Sequence, residues 1–229
     1  MLTKKKKLSK KEIKEDKLVS FYYKAYGYIE KNSTRMLVYA GALIVLIAAV
    51  FFYLHNKGIN NDKAGVELSR VMDLYNNGSY LEAIEGRQGT SNIGLKKIVE
   101  DYGNTENGET AKIFLANSYN RLGKTEDAYN YYKDYSGSIQ MYQAAALAGQ
   151  AGYFADKKDY EKAADLYKKA SRVSNTDVLN PDYLLQAAIN YRDAGRQEEA
   201  KNMLEKIKTD YKTSPVSREA DKYMAEVNM

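Results

Sequence analysis

Three stretches in the C-terminal half carry the same five-residue pattern at the same steps. Ala116, Tyr119, Gly123, Ala128 and Tyr132 are separated by 3, 4, 5 and 4 positions. Ala151, Phe154, Lys158, Ala163 and Tyr167 repeat those steps 35 residues later. Ala188, Tyr191, Gly195, Ala200 and Leu204 repeat them after another 37. Residues three or four apart lie on one face of a helix. The pattern therefore predicts a first helix with a small contact residue and an aromatic one turn on, a tight turn, and a second helix with its own small contact and buried stripe. Such a unit cannot bury its apolar face alone, so successive units must stack.

A more divergent copy precedes these three. Val71, Leu74, Gly78, Ala83 and Arg87 keep the steps, but 45 residues separate Ala83 from Ala128. The surplus of roughly ten residues falls in GRQGTSNIG, a stretch with loop composition. It lacks the GK[ST] ending of a phosphate-binding loop. A helical pattern resumes at Leu95, Ile98 and Val99. Asn180-Pro181 and Ser214-Pro215 each offer an N-cap followed by an N1 proline. The second pair opens a final helix with Ala220, Tyr223, Met224 and Val227 on one face. Only 2 prolines occur in 229 residues, and no useful strand-like alternation is present. The expected fold is all-α.

The unit lengths and spacing resemble the tetratricopeptide repeat, whose usual period is about 34 residues. That resemblance implies an α-solenoid of about four helix pairs closed by a C-terminal capping helix.

Met36–Leu54 is a run of 19 residues without a charge, MLVYAGALIVLIAAVFFYL. At about 1.5 Å per residue it spans ~28 Å, close to the ~30 Å hydrocarbon core of a bilayer. Tyr39 and Tyr53 sit near its ends, where interfacial aromatics belong. The run is longer than a signal-peptide core and no small-x-small cleavage site follows it. It is expected to be a single transmembrane helix acting as an uncleaved signal anchor. Residues 1–35 hold 10 Lys and 1 Arg against 4 acidic residues, whereas residues 55–229 hold 24 basic and 26 acidic ones. The positive-inside rule puts the N-terminus in the cytoplasm. In a Gram-negative cell, residues 55–229 then lie in the periplasm and the helix in the inner membrane. Three regions follow: a basic arm at 1–35, a span at 36–54, and an extracytoplasmic repeat domain at 55–229.

Lys4, Lys5, Lys6, Lys7, Lys10 and Lys11 crowd the start of the arm. Their plainest role is attraction to anionic inner-membrane lipid. The sharper alternative is contact with RNA, as on a ribosome, although no aromatic residues interleave them as in a base-stacking surface. Leu18, Tyr22, Ala25, Tyr26 and Ile29 then form one helical stripe, widened by Val19 and Tyr23. Such a helix suits the headgroup region or a partner's cytoplasmic face.

This order of arm, span and divergent repeats resembles the YfgM-like membrane-anchored tetratricopeptide proteins of bacteria, in a Bacteroidota-type version. The marks are the span, a helix starting near Asp62 that leads into YNNGSYLEAI, the GRQGTSNIG loop, and the segments ANSYNRLGKTEDAYNYY, AGYFADKKDYEKAADLYKKA and AAINYRDAGRQEEAKNML. The resemblance implies a non-catalytic accessory subunit of the Sec translocon. Its implied partners are the channel subunits and a PpiD-like membrane-anchored chaperone, in support of protein export. The basic arm is longer than in enterobacterial members. An adaptor role in another envelope complex, for outer-membrane assembly, gliding and secretion or respiration, fits the same architecture.

Solenoids bind partners mainly through the first helices of their repeats. The positions one and four after the first small residue give Met72, Tyr75, Asn117, Asn120, Gly152, Ala155, Ile189 and Arg192, with Arg121 one step further round. Ile113, Ala148 and Leu185 stand where a basic clamp for a peptide carboxylate would need lysines. Within the span, Ala40, Gly41, Ala42, Ala48 and Ala49 offer small-residue contacts to a partner helix, without a GxxxG. No cysteine is present and His55 is the single histidine. Thiolate chemistry and His-pair metal sites are thereby excluded. His55, next to the span, is expected to be an interfacial anchor. No cofactor, metal or small-molecule substrate is expected. A topology reporter fused at Met229 is expected to score outside the cytoplasm, and one active only in the cytoplasm would overturn the orientation.

Overall fold

The computed structural model describes the backbone of residues 10–227 and the side chains of residues 18–227. Every regular element among them is a helix, and the chain divides into two units after Asn56.

The first unit contains α1, Lys10–Lys31, and the opening part of α2, Ser33–Asn76. Helical hydrogen bonding carries through the junction between them. The Asn32 N–H donates to the Tyr28 carbonyl at 3.1 Å, and the Met36 N–H donates to the Asn32 carbonyl at 3.0 Å. No loop therefore separates the aromatic stripe from the apolar run. The stripe residues Leu18, Tyr22, Tyr26 and Ile29 are exposed. The run inside α2 is long and apolar enough to cross a membrane, and none of it is buried within the protein. Lys10 and Lys11 open α1, while Lys4, Lys5, Lys6 and Lys7 lie outside the described residues. No helix starts near Asp62: α2 is one element of 44 residues that includes both the apolar run and the first helix of the first repeat. Nothing in MLVYAGALIVLIAAVFFYLHNKGINNDKAGVELSR breaks a helix, because its three glycines are isolated and it has no proline.

In the second unit α2 continues to Asn76 and is followed by α3, Tyr80–Glu85, and α4, Gly94–Tyr102. Three helix pairs come next. They are α5, Glu106–Arg121, with α6, Thr125–Lys133; α7, Gln140–Asp156, with α8, Tyr160–Ala170; and α9, Asn180–Asp193, with α10, Gln197–Asp210. The closing helix is α11, Val216–Val227. Each pair packs internally, and each second helix packs on the first helix of the next pair. First helices also meet, α5 with α7 and α9 with α11. This is a stack in which each pair touches its neighbours.

The repeat spacing locates these contacts. Ala116, Ala128, Ala151, Ala163, Ala188 and Ala200 are all buried, as are Val71 and Ala83 in the divergent copy. Tyr119, Tyr132, Tyr191 and Leu204 are buried beside them, and Phe154 and Tyr167 are half-buried. At the turns Gly78, Gly123, Lys158 and Gly195 share φ values of 76°, 73°, 62° and 77°. All four occupy the left-handed region, which glycine enters freely and a side-chain-bearing residue enters at a cost.

Two expectations fail locally. Arg87 is not on a buried stripe: α3 stops at Glu85 and Arg87 lies exposed beyond Gly86, paired with Glu82. Gly86 has φ 85° and its Cβ position is filled by backbone of Asn92 and Ile93, so the chain turns there. Leu95 and Ile98 of α4 fill the core instead. Asn180 is not an exposed cap either. It is fully buried, belongs to α9, and its amide donates to the Ser174 carbonyl at 2.6 Å. It braces the connector before α9. Ser214 does behave as a cap, with its hydroxyl accepting from the Val216 N–H at 3.3 Å.

Carboxylates hold the α6–α7 connector. Glu109, buried in α5, accepts from the Ser136 N–H at 2.7 Å, the Ser136 hydroxyl at 3.0 Å and Lys112 Nζ at 2.9 Å. Glu106 accepts from the Ser138 N–H and hydroxyl, each at 3.1 Å.

Lys158→Gly is expected to stabilise the domain by about 0.5–1 kcal/mol, the left-handed penalty less the added freedom of the unfolded chain. Gly195→Ala, which meets no atom within 4 Å, is expected to destabilise it by about 1 kcal/mol through the backbone alone. Thermal denaturation of the two variants checks both signs.

Candidate protein-interaction site

The residues expected on the first helices differ in how available they are. Asn120 and Arg121, at the end of α5, are exposed. Asn117 is half-buried and its Oδ1 accepts from the Tyr132 hydroxyl at 2.5 Å. Met72 and Tyr75 are half-buried against the core that extends from α2 to α7. Gly152 and Ala155 are half-buried on α7, with the Tyr167 hydroxyl 3.5 Å from the Cβ position of Gly152. Ile189 packs on the core of α8 to α11. Arg192 ion-pairs with Asp193 at 2.8 Å and with Glu226, and lies 5.3 Å from the centre of the Tyr223 ring. Its charge thus fastens α11 to α9.

The spacing did not reveal an aromatic ladder along the first helices. Tyr75 of α2 meets Phe114 of α5 edge-on at 5.0 Å, and Phe114 meets Tyr142 of α7 edge-on at 6.1 Å. Each ring comes from a different pair, so the ladder ties three repeats together along one side. Edge-to-face contacts of this kind add about 0.5–1.5 kcal/mol each beyond burial. Phe114 sits two residues before the small position Ala116, outside the five-position pattern, which is why that pattern missed it.

The tightest approach is at Gly149. A methyl group there would overlap the Tyr132 ring, so α7 lies flush against α6. Tyr132 is accordingly buried, with its hydroxyl turned to Asn117 and its phenol pushed up well above the usual range by burial. The Tyr191 hydroxyl donates to Asp165 Oδ1 at 2.5 Å, and burial together with that bond raises its phenol too.

On α2 the small residues of the apolar run do not share one face. At about 100° per residue, Gly41, Ala42, Ala48 and Ala49 fall within one sector and Ala40 lies to one side of it. His55 is exposed, its ring stacked on that of Phe51 one turn earlier at 6.2 Å. No cluster of three or more His, Asp or Glu that could hold a metal occurs among the described residues.

An open cleft of about 400 Å³ lies elsewhere, between the start of α7 and the connector leading into α9. Ile139, Met141 and Val178 supply its apolar walls, with Gln140, Ser174, Thr176 and Asp177 completing it.

No protein-family model matches the chain, and no curated protein does. Two crystal structures of a Podosopora anserina putative kinesin light chain with nearly identical TPR-like repeats are similar in fold, one of them carrying a single substitution. Both align with a TM-score of 0.56 over 73% of this chain at 15% identity, covering 85% and 86% of theirs. The described residues thus have an all-helical fold of tetratricopeptide-like repeats.

Burial raises the Tyr135 and Tyr183 phenols to about 12, helped by Glu106 and Glu109 at the first and by Asp177 and Asp182 at the second. In the unfolded chain a phenol ionises near pH ~10. Their contribution to stability is therefore complete below about pH 10 and is lost as pH rises towards 12. The melting temperature is expected to fall across that window, and to fall less in Tyr183→Phe. A slope unchanged by that substitution would contradict the assignment.

Proposed function

We propose that the chain is a membrane-anchored scaffold of the cell envelope that works at the Sec translocon. In this reading residues 1–35 are a cytoplasmic arm, residues 36–54 span the inner membrane, and residues 55–229 form a periplasmic repeat domain. The observation that carries it is the sequence of parts on one chain. A lysine-rich segment precedes an uncharged helical run of membrane length, and a tetratricopeptide-like stack follows it. The charge difference across the run supports the orientation. The marks shared with YfgM-like proteins support the particular assignment, with channel subunits and a PpiD-like chaperone as partners. The basic arm meets anionic lipid or ribosomal RNA on the cytoplasmic side. The repeat domain acts without catalysis or cofactor, presenting Asn120, Arg121 and their half-buried neighbours to other proteins.

Purification in gentle detergent through a tag at Met229, followed by mass spectrometry, tests the assignment. Co-recovery of the Sec channel with a membrane-anchored chaperone is the expected result. Recovery of a different envelope machine without the Sec channel would leave the fold standing and remove the translocon role.

A further inference from the structure

The cleft between the start of α7 and the α8–α9 connector has three properties that together describe an occupant. Its walls are mainly apolar and stay open to water. Val178 is 84% exposed and Met141 50%, with Ile139 also on the surface. Met is the side chain best able to repack against varied apolar partners. Neither wall is slack. The Asn180 amide grips the Ser174 carbonyl on one side, and Glu106 grips Ser138 just before Ile139 on the other.

The cleft also carries one charge. Among its lining residues only Asp177 is ionisable. Asp177 Oδ1 accepts from the Leu179 N–H at 2.9 Å, whereas Oδ2 has no hydrogen-bond partner and no exposed surface. A half-paired carboxylate beside an apolar wall favours a neighbouring cation.

The third property is size. A stable interface between folded proteins takes about 20–30 residues a side. Seven residues around 400 Å³ match a short segment of chain and fall well short of a second folded surface.

We propose that this cleft binds an extended, unfolded polypeptide segment through a bulky apolar side chain next to an arginine or lysine. The apolar side chain enters between Ile139, Met141 and Val178. The cation settles against the Asp177 carboxylate, the one charge in the lining. The site lies at the connector edge of the stack, away from the first-helix residues Asn120 and Arg121. It rests on the scaffold part of the function proposed above and not on the translocon assignment.

The test uses the full chain in lipid nanodiscs, with no translocon component present, so its outcome is separate from what co-purifies. The probe is a fluorescein-labelled Gly/Ser dodecapeptide containing one Leu–Arg pair, with Leu–Glu and Ser–Arg versions alongside. Fluorescence anisotropy is expected to show saturable binding of the Leu–Arg peptide, at least tenfold weaker binding of the other two, and at least tenfold loss in Val178→Asp and Met141→Asp. Both changed residues are on the surface, and unchanged melting temperatures will show that the fold is kept. Asp177→Asn retains the Oδ1 acceptor for Leu179 and is expected to remove the preference for Leu–Arg over Leu–Glu. Equal binding of the three peptides, or undiminished binding by Val178→Asp, overturns the proposal. So does a dimer of the unaltered chain that Val178→Asp converts to a monomer, because the cleft would then be filled by a second copy.

Discussion

The repeat domain depends on helices meeting where there is almost no side chain to keep them apart. Ala116, Ala151 and Ala188 in the first helices and Ala128, Ala163 and Ala200 in the second are all buried. At Gly149 even a methyl group is excluded. Backbones held this close leave grooves on either side of the contact, and those grooves take the large rings. Tyr132 lies against Gly149, Tyr191 is buried between its pair and Asp165, and Phe114 reaches both Tyr75 and Tyr142. The aromatic content of the domain thus follows from the smallness of its contact residues. A larger residue at a contact would push the helices apart and leave the rings without walls.

Much of this was legible because both halves of the device are periodic. A small residue and the ring that fills beside it recur at fixed steps, so the sequence alone located the contacts and the turns, including the turn where Lys158 replaces glycine. What escaped was aperiodic. The ladder uses Phe114 and Tyr142, which stand at different distances from their small residues. The support of the α6–α7 connector comes from Glu106 and Glu109, which face Ser138 and Ser136 across separations of 32 and 27 positions that no local pattern encodes. Asn180 was misread because asparagine before proline is a common cap, whereas burial turned its amide onto Ser174. The helix start near Asp62 was misread for the opposite reason. A change from apolar to charged composition looks like a boundary, but composition can change along a helix whose backbone hydrogen bonding never stops.

The first-helix residues singled out by spacing also divide along physical lines. Asn117 and Arg192 spend their bonding capacity on the protein itself, and Ile189 packs its side chain on the core. Those at the end of α5, Asn120 and Arg121, keep theirs for water or a partner. Position in a repeat says which way a residue points. Only the neighbours on the next element say whether it is already engaged.

Packing that runs only from each pair to its neighbours has a mechanical consequence. Apart from these neighbour contacts, no element among the described residues clasps the two ends of the stack together, so a pull on the C-terminal end would be resisted first by α11, which packs on α10 and is fastened to α9 through Arg192, Glu226 and Tyr223. The load would run through every pair, and the end unit, with a neighbour on one side alone, would give way first. A domain built this way yields in steps and can lengthen while its inner repeats remain folded.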